Sequence, residues 1–399
     1  MLKPAKVRKR TKKPRLMISR VKLKNWRNFA DVDVPLTQRM FLIGPNASGK
    51  SNFLDAFRFL RDIAKPEGGG LQKAVSDRGG LSKIRCLAAR RHSDVEIEVH
   101  LSRNEGQEPT WKYAIGIKQE RGGSNPVRLA YERVWKENEQ ILDRPDNDDV
   151  KDTPRLGQTF LEQINANQDF REIASFLGSI RYMHLVPQLI RHPEVFGARV
   201  VDEDPFGQRF LENIQQTSGN VRDSRLRRIQ DALACAVPQF ERLSIVRDER
   251  GVAHLETIYK HWRPKGAKQN EQQFSDGTLR LIGLLWSIMA NDSVLLLEEP
   301  ELSLHTGIIQ KLAALIWRTQ QKRKGQVIIS THSTELLSDK GIGGEETLLL
   351  TPDKEGTKVQ QASRIDAIRG MLEVGMSVGE AALPITEPPD MRQLSLFNG

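Results

Sequence analysis

Residues 44–51 read Gly44-Pro45-Asn46-Ala47-Ser48-Gly49-Lys50-Ser51, a glycine-bounded loop ending in a lysine and a hydroxyl. These types at this spacing, G-x-x-x-x-G-K-[ST], suit a loop that wraps phosphate groups. Gly44 and Gly49 permit backbone conformations and a close approach that a Cβ would obstruct, so successive N–H groups can turn inward on phosphate oxygens. Lys50 would then reach the β and γ phosphates of ATP, and the Ser51 hydroxyl would bind Mg²⁺. The setting agrees. Residues 40–43 form an apolar, strand-like run, and the stretch from Asn52 to residue 60 carries apolar residues at helical spacing. A strand leads in and a helix leads out, with its positive N-terminal end at the loop.

A second group of residues supplies the acids such a loop requires. Val294-Leu295-Leu296-Leu297-Glu298-Glu299-Pro300 reads as a buried strand with two carboxylates at its carboxyl end, where open α/β sheets bind ligands. Neighbouring strand residues point to opposite sides, so the two acids have different tasks. Glu298 would hold Mg²⁺ through water, and Glu299 would polarise the attacking water. Residues 326–333 end another buried strand at His332, placed to contact the γ-phosphate. Phe274-Ser275-Asp276-Gly277-Thr278 precedes a helix. Ser275 reads there as an N-cap, or else as part of a phosphate-binding helix start offered to a second subunit.

The elements that must position these groups can be traced along the chain. Strands are expected over 16–23 and 29–34 around a turn at 24–28, and over 95–101, 111–118 and 127–135, the last three as an antiparallel sheet. Residues 137–157, polar and with two prolines, read as a linker or exposed excursion. Helices are expected over 158–164, 169–177, 206–214 and 221–237, with a strand over 180–186 and a hairpin over 240–259. Beyond residue 260, helices over 277–290 and 305–318 alternate with continuous apolar strands over 293–297 and 326–330, as in a parallel sheet covered on both faces. A hairpin over 347–361 follows, and after Gly375 the small, polar, proline-containing sequence reads as a tail.

The net charge of +10 is uneven. Eight of the 61 basic residues and none of the 51 acids lie in residues 1–15, so the rest of the chain carries 53 against 51, or only +2. Such an arm suits nucleic acid or another polyanion; a solubilising tail, or a start upstream of a true one at Met17, are the other readings. Arg222, Arg225, Arg227 and Arg228 form a basic stretch that could track phosphates or simply face solvent. Cys86 and Cys235 are isolated, with no partner at metal-ligand spacing, which points to a reducing cytoplasm. No apolar run approaches the roughly 18 residues needed to cross a bilayer, and the first residues lack the centre of a signal peptide.

In order, the phosphate loop, a long insertion, a Ser-x-Gly turn, an acid pair followed by Pro300-Glu301-Leu302-Ser303-Leu304-His305, and Ser330-Thr331-His332-Ser333 resemble the ABC-type ATPase heads of the RecF and SMC class. The nearer likeness is to stand-alone AAA-family ATPases related to the OLD family, many of which look like components of bacterial anti-phage defence systems. The phrase Leu23-Lys24-Asn25-Trp26-Arg27-Asn28-Phe29 is similar to the one that opens those heads. The resemblance implies an α/β fold: an ABC-type P-loop ATPase head with an antiparallel β subdomain and an inserted helical lobe. Its divisions would be a basic arm over 1–16, half of the head over 17–136, a mostly helical lobe over 137–270, the second half over 271–373 and a tail over 374–399.

Carried over residue by residue, the resemblance makes Ser275 and Gly277 the signature motif, which in that family completes the ATP site of the opposing protomer. Two heads would sandwich two nucleotides, as a homodimer or higher homo-oligomer. His332 becomes the switch histidine and residues 301–305 the D-loop. Gln188 is the candidate glutamine sensing Mg²⁺, with Gln72 as the alternative. Two departures point to slow hydrolysis. Glu298 stands where aspartate is usual, and Asp276 where glycine is commoner, putting a carboxylate near the partner's phosphates. The absence of coiled-coil heptads speaks against a long-armed chromosome-organising protein. A carboxyl-terminal nuclease domain is not expected, so any effector, Toprim-like or HNH by analogy, would be separately encoded. The second reading is a RecF-like, ATP-dependent DNA-binding clamp in repair.

Overall fold

The P-loop strand lies inside one sheet, and its helix packs beneath another. The architecture is taken from a computed structural model that describes residues 15–88, 94–119, 126–193, 204–234, 236–260, 266–323 and 325–386; the basic arm before residue 15 and Cys235 lie outside them. β1 (Met17–Trp26) and β2 (Phe29–Pro35) form a hairpin in which Trp26 pairs with Phe29. The turn is therefore only Arg27-Asn28, tighter than the expected 24–28. Trp26 extends the strand because its ring is fully buried against Phe59 and its Nε1 donates to the Asn52 carbonyl at 2.8 Å.

β3 (Arg39–Ile43) enters the loop, and α1 (Lys50–Ala64) leaves it, followed by two short helices, α2 (Leu71–Ser76) and α3 (Leu81–Ile84). β4 (Val95–Ser102), β5 (Trp111–Gln119) and β6 (Val127–Lys136) follow at the expected places, and β7 (Glu139–Arg144) adds an edge. All are antiparallel, in the order β2-β1-β4-β5-β6-β7. Apolar residues alternate inward along β4, the periodicity that made this sheet readable.

The excursion expected over 137–157 is instead structured: β7 is followed by α4 (Asn147–Lys151) and a 3₁₀ turn, Thr153–Gly157. Its polar residues answer one another. Arg144 is fully buried, bonded to Asp149 at 2.8 and 2.9 Å, to Glu132 at 3.0 Å and to the carbonyls of Gln158 and Arg155. The helix expected over 158–164 is a series of turns. There the Glu132 carboxylate accepts the backbone N–H groups of Phe160 and Leu161, pulling them away from helical partners.

α5 (Arg171–Gly178) and β8 (Arg181–Met183) come next; β8 is shorter than the strand expected over 180–186. α6 (Pro187–Arg191), α7 (Phe210–Gln216) and α8 (Gly219–Leu233) then lead to a small antiparallel sheet of β9 (Phe240–Arg247), β10 (Ala253–Tyr259) and β11 (Ala267–Asn270). α9 (Asp276–Ala290) is apolar nearly all round because it serves two cores. Leu279, Ile282 and Trp286 pack with α8 and β9, and Leu284 and Ile288 with the central sheet.

β12 (Val294–Glu298), α10 (Thr306–Arg323), β13 (Gln326–Ser330), α11 (Thr334–Leu337), β14 (Thr347–Thr351) and β15 (Lys358–Gln361) complete the second sheet and its cover. Its order is β15-β14-β3-β13-β12-β8, parallel except for β15. α12 (Asp366–Glu373) closes the expected second half of the head, and α13 (Val378–Thr386) replaces part of the expected tail. Val378, Ala381 and Ala382 are buried in the core beside β14, so small residues here mean close packing; residues 387–399 lie outside the described ones. Among the described residues no helix is long and apolar enough to cross a membrane.

Candidate nucleotide site

The loop between β3 and α1 has the backbone its glycines promise. Gly49 has φ +98°, and a Cβ there would stand 2.1 Å from the Asn28 side chain; a Cβ at Gly44 would stand 2.4 Å from the Leu350 carbonyl. Ala47 also takes a positive φ, 62°. Asn28 is the residue that sequence reasoning passed over. Its Nδ2 donates to the Ser48 carbonyl at 2.8 Å and to Thr357 Oγ1 at 2.6 Å, and its Oδ1 accepts from Asn52 at 2.9 Å. The β1–β2 turn thus fastens the phosphate loop to the β14–β15 hairpin. The only sequence signal was the opening phrase that contains Asn28.

Lys50 is buried, its Nζ donating to the carbonyls of Gly44 at 2.9 Å and Pro45 at 3.1 Å. Burial pushes its pKa down to about 8, against the upward pull of Glu299, Glu298 and Glu301. A polyphosphate beside it would restore the charge, so binding should take up a proton. Nucleotide affinity is therefore expected to fall as pH rises through about 8. Calorimetry in buffers of different ionisation enthalpy checks the proton uptake. For stability the sign is opposite: the unfolded chain holds this proton more tightly, so folding gains as pH rises from about 8 toward 10.5.

The acid pair diverges as strand geometry requires. Glu298 accepts from Ser51 Oγ on one oxygen and from the Tyr182 hydroxyl on the other. Glu299, at φ 45°, donates its N–H to the Ser330 carbonyl and lies 3.5 Å from His332 Nε2. Burial, and then the charge of Lys50, lower the His332 pKa, against Glu299, so the imidazole is neutral near pH 7. Glu301 ties the next loop to the same strand end, accepting from Thr331 Oγ1 at 2.5 Å and from the His332 N–H at 3.3 Å. Burial raises the Glu301 pKa.

The expected phosphate loop, Glu298, Glu299 and His332 are thus brought together. The other expected residues meet elsewhere. Ser275 Oγ caps α9, accepting from the Thr278 N–H at 3.2 Å. A Cβ on Gly277 would stand 2.5 Å from the Ser303 carbonyl, so this glycine lets α9 approach the loop after the acid pair. Gln188, the candidate Mg²⁺-sensing glutamine, donates to Asp276 at 2.9 Å, and the hydroxyl beside Glu298 is that of Tyr182; Gln72, the alternative, donates to the Val127 and Gly157 carbonyls. Asp276, expected to face a partner's phosphates, has its charge answered within the chain by Arg191 at 2.6 Å.

The donor set fits the expected ligands. The cradle has no room for a Cβ at either glycine, and Ser51 with Glu298 offers the hard oxygen ligands Mg²⁺ prefers. Among the described residues no group of three or more His, Cys, Asp or Glu could hold a metal.

Residues 39–338 match the protein-family model described as "AAA domain, putative AbiEii toxin, Type IV TA system". The chain belongs to this family. It is a P-loop ATPase of the AAA-domain family, built as an ABC-type head of the RecF and SMC class. Among curated proteins it is similar to the DNA replication and repair protein RecF of Synechocystis, 30% identical over 90 residues, covering 22% of this chain and 23% of that protein. RecF of Brucella abortus is 35% identical over 91 residues, 21% and 22% of the two chains. The chain thus spans under a quarter of those relatives' length. Among solved structures, an SMC head bound to the C-winged helix domain of ScpA aligns with TM-score 0.52 at 14% identity, over 86% of this AAA-domain chain and 97% of that one. An SMC head with an extended coiled coil, from Pyrococcus furiosus, gives 0.50 at 13%, over 90% and 99%. At such identities the likeness concerns the fold.

Proposed function

We propose that the chain is an ATP-binding, slowly hydrolysing switch whose heads pair through ATP. The carrying observation is the meeting of Ser51 with Glu298, beside Glu299 and His332: phosphate loop and acidic strand end share one site. Gly44, Pro45, Asn46, Ala47, Ser48, Gly49 and Lys50 hold the phosphates, and Asn52 keeps the helix start in place through Asn28. Ser51 and Glu298 hold Mg²⁺, which neutralises charge on the phosphates when bound. Glu299 accepts a proton from the attacking water, and neutral His332 donates to the γ-phosphate. Ser275 and Gly277 serve a second copy's nucleotide. Gln188 reports the position of that signature turn through Asp276.

The biological reading is a cytoplasmic sensor in a bacterial anti-phage system, controlling a separately encoded nuclease or toxin. The family description, a toxin of a toxin–antitoxin system, supports that context. The RecF similarity favours the alternative, an ATP-gated clamp on DNA. Light scattering tests the switch. The 45.3 kDa chain is expected to double in mass with Mg²⁺ and a non-hydrolysable ATP analogue. A monomer that binds the analogue refutes the sandwich. Duplex binding that needs ATP and weakens steeply with salt, without a partner protein, would favour the clamp.

A further inference from the structure

β8 is the edge strand beside the acidic strand, and its register sets Tyr182 opposite Leu296. Leu296 and Glu298 lie on the same face of β12, two residues apart, so Tyr182 shares the face of the carboxylate. Its hydroxyl donates to Glu298 Oε2, while Ser51 Oγ donates to Oε1. The guanidinium of Arg58 lies over the tyrosine ring, 4.1 Å from its centroid. Arg58 and Ser51 are seven residues apart on α1, two turns along one side of the helix. One helix therefore supplies both the hydroxyl for one carboxylate oxygen and the clamp on the phenol that binds the other.

We propose that Tyr182 is a positioning residue of the magnesium site, holding Glu298 Oε2 so that Oε1 stays directed at Ser51 and the metal. The inference rests on the ATPase reading above. Glutamate has one more rotatable bond than the aspartate common at this place, and a carboxylate free to swing is a poor metal partner. A tethered second oxygen removes that freedom. A phenol carries its proton at neutral pH and so supplies the donor of this bond. Neither the apolar strand pattern nor spacing could show this, because the two residues are 116 positions apart.

Tyr182→Phe keeps the ring and its contact with Arg58 but removes the donor. The test is binding of a fluorescent ATP analogue, titrated with Mg²⁺ and repeated in chelator. In the variant the half-saturating Mg²⁺ should rise about tenfold, the low end of outer-shell effects on metal affinity. Affinity in chelator should stay within about twofold. In a Glu298→Asp background, whose shorter carboxylate falls short of the phenol, Tyr182→Phe should have little further effect. Unchanged Mg²⁺ dependence overturns the proposal. So does an equal loss in chelator, which is the mark of a merely structural role, or an undiminished effect in the aspartate background. If the parent itself shows no Mg²⁺-dependent nucleotide binding, the ATPase reading falls and this inference with it.

Discussion

Glu299→Gln should leave ATP binding nearly intact and lower steady-state hydrolysis by about 10²–10⁴-fold, the usual contribution of a positioned general base. The substitution is nearly isosteric, and the residue's backbone is held independently, by its N–H to the Ser330 carbonyl. Ser51 and Glu298, the expected metal partners, stay in contact because Glu298 points to the other side of the strand end. Only the proton acceptor beside His332 is lost. Single-turnover hydrolysis and equilibrium nucleotide binding on the same preparation separate the two effects. Hydrolysis within about threefold of the parent would place the base elsewhere. Loss of binding together with hydrolysis would mean that Glu299 supports the nucleotide rather than the chemistry.

Arg144→Ala should destabilise the protein by about 3–5 kcal/mol, the cost of leaving buried charges without their partner. Both Glu132 and Asp149 are fully buried, and Arg144 also packs over the Phe160 ring, 3.8 Å from its centroid. Burial already raises the Glu132 pKa, against the backbone N–H groups of Phe160 and Leu161 and the charge of Arg144. Without the arginine it should rise further. A carboxyl whose pKa is higher folded than unfolded gains stability as pH falls, so the variant's deficit should narrow toward acid pH. Urea unfolding at two pH values reads this directly. A deficit that is small, or that widens in acid, would show that the network contributes little.

The positions of the candidate residues were legible because each follows a continuous apolar run, and such runs mark parallel strands whatever they pair with. Glu298, Glu299 and His332 thus stood at strand ends before any contact was known. Residues 137–164 misled because composition cannot tell a solvated arginine from Arg144, whose donors all find acceptors inside. The tail misled similarly: Ala381 and Ala382 are small, which reads as unstructured but here allows α13 to seat closely. Asn28 and Tyr182 were beyond reach for another reason. Their roles lie in bonds to Ser48, Thr357 and Glu298, made only when distant strands come together. Asp276 has a partner of the same long-range kind, Arg191, which lies 85 positions earlier.

The place of β3 between β13 and β14 has a consequence for synthesis. Both neighbours of the P-loop strand, residues 326–330 and 347–351, leave the ribosome some three hundred residues after β3 itself. The antiparallel sheet from β1 to β7 can form long before, since its strands are consecutive or nearly so. The strand carrying the phosphate loop must wait with one edge unpaired on either side, and Asn28 has no Thr357 to hold until later still. Closing loops of that span is slow. A chain interrupted before residue 326 therefore lacks both strands that flank β3, and with them His332 and the Thr357 hydroxyl that Asn28 holds.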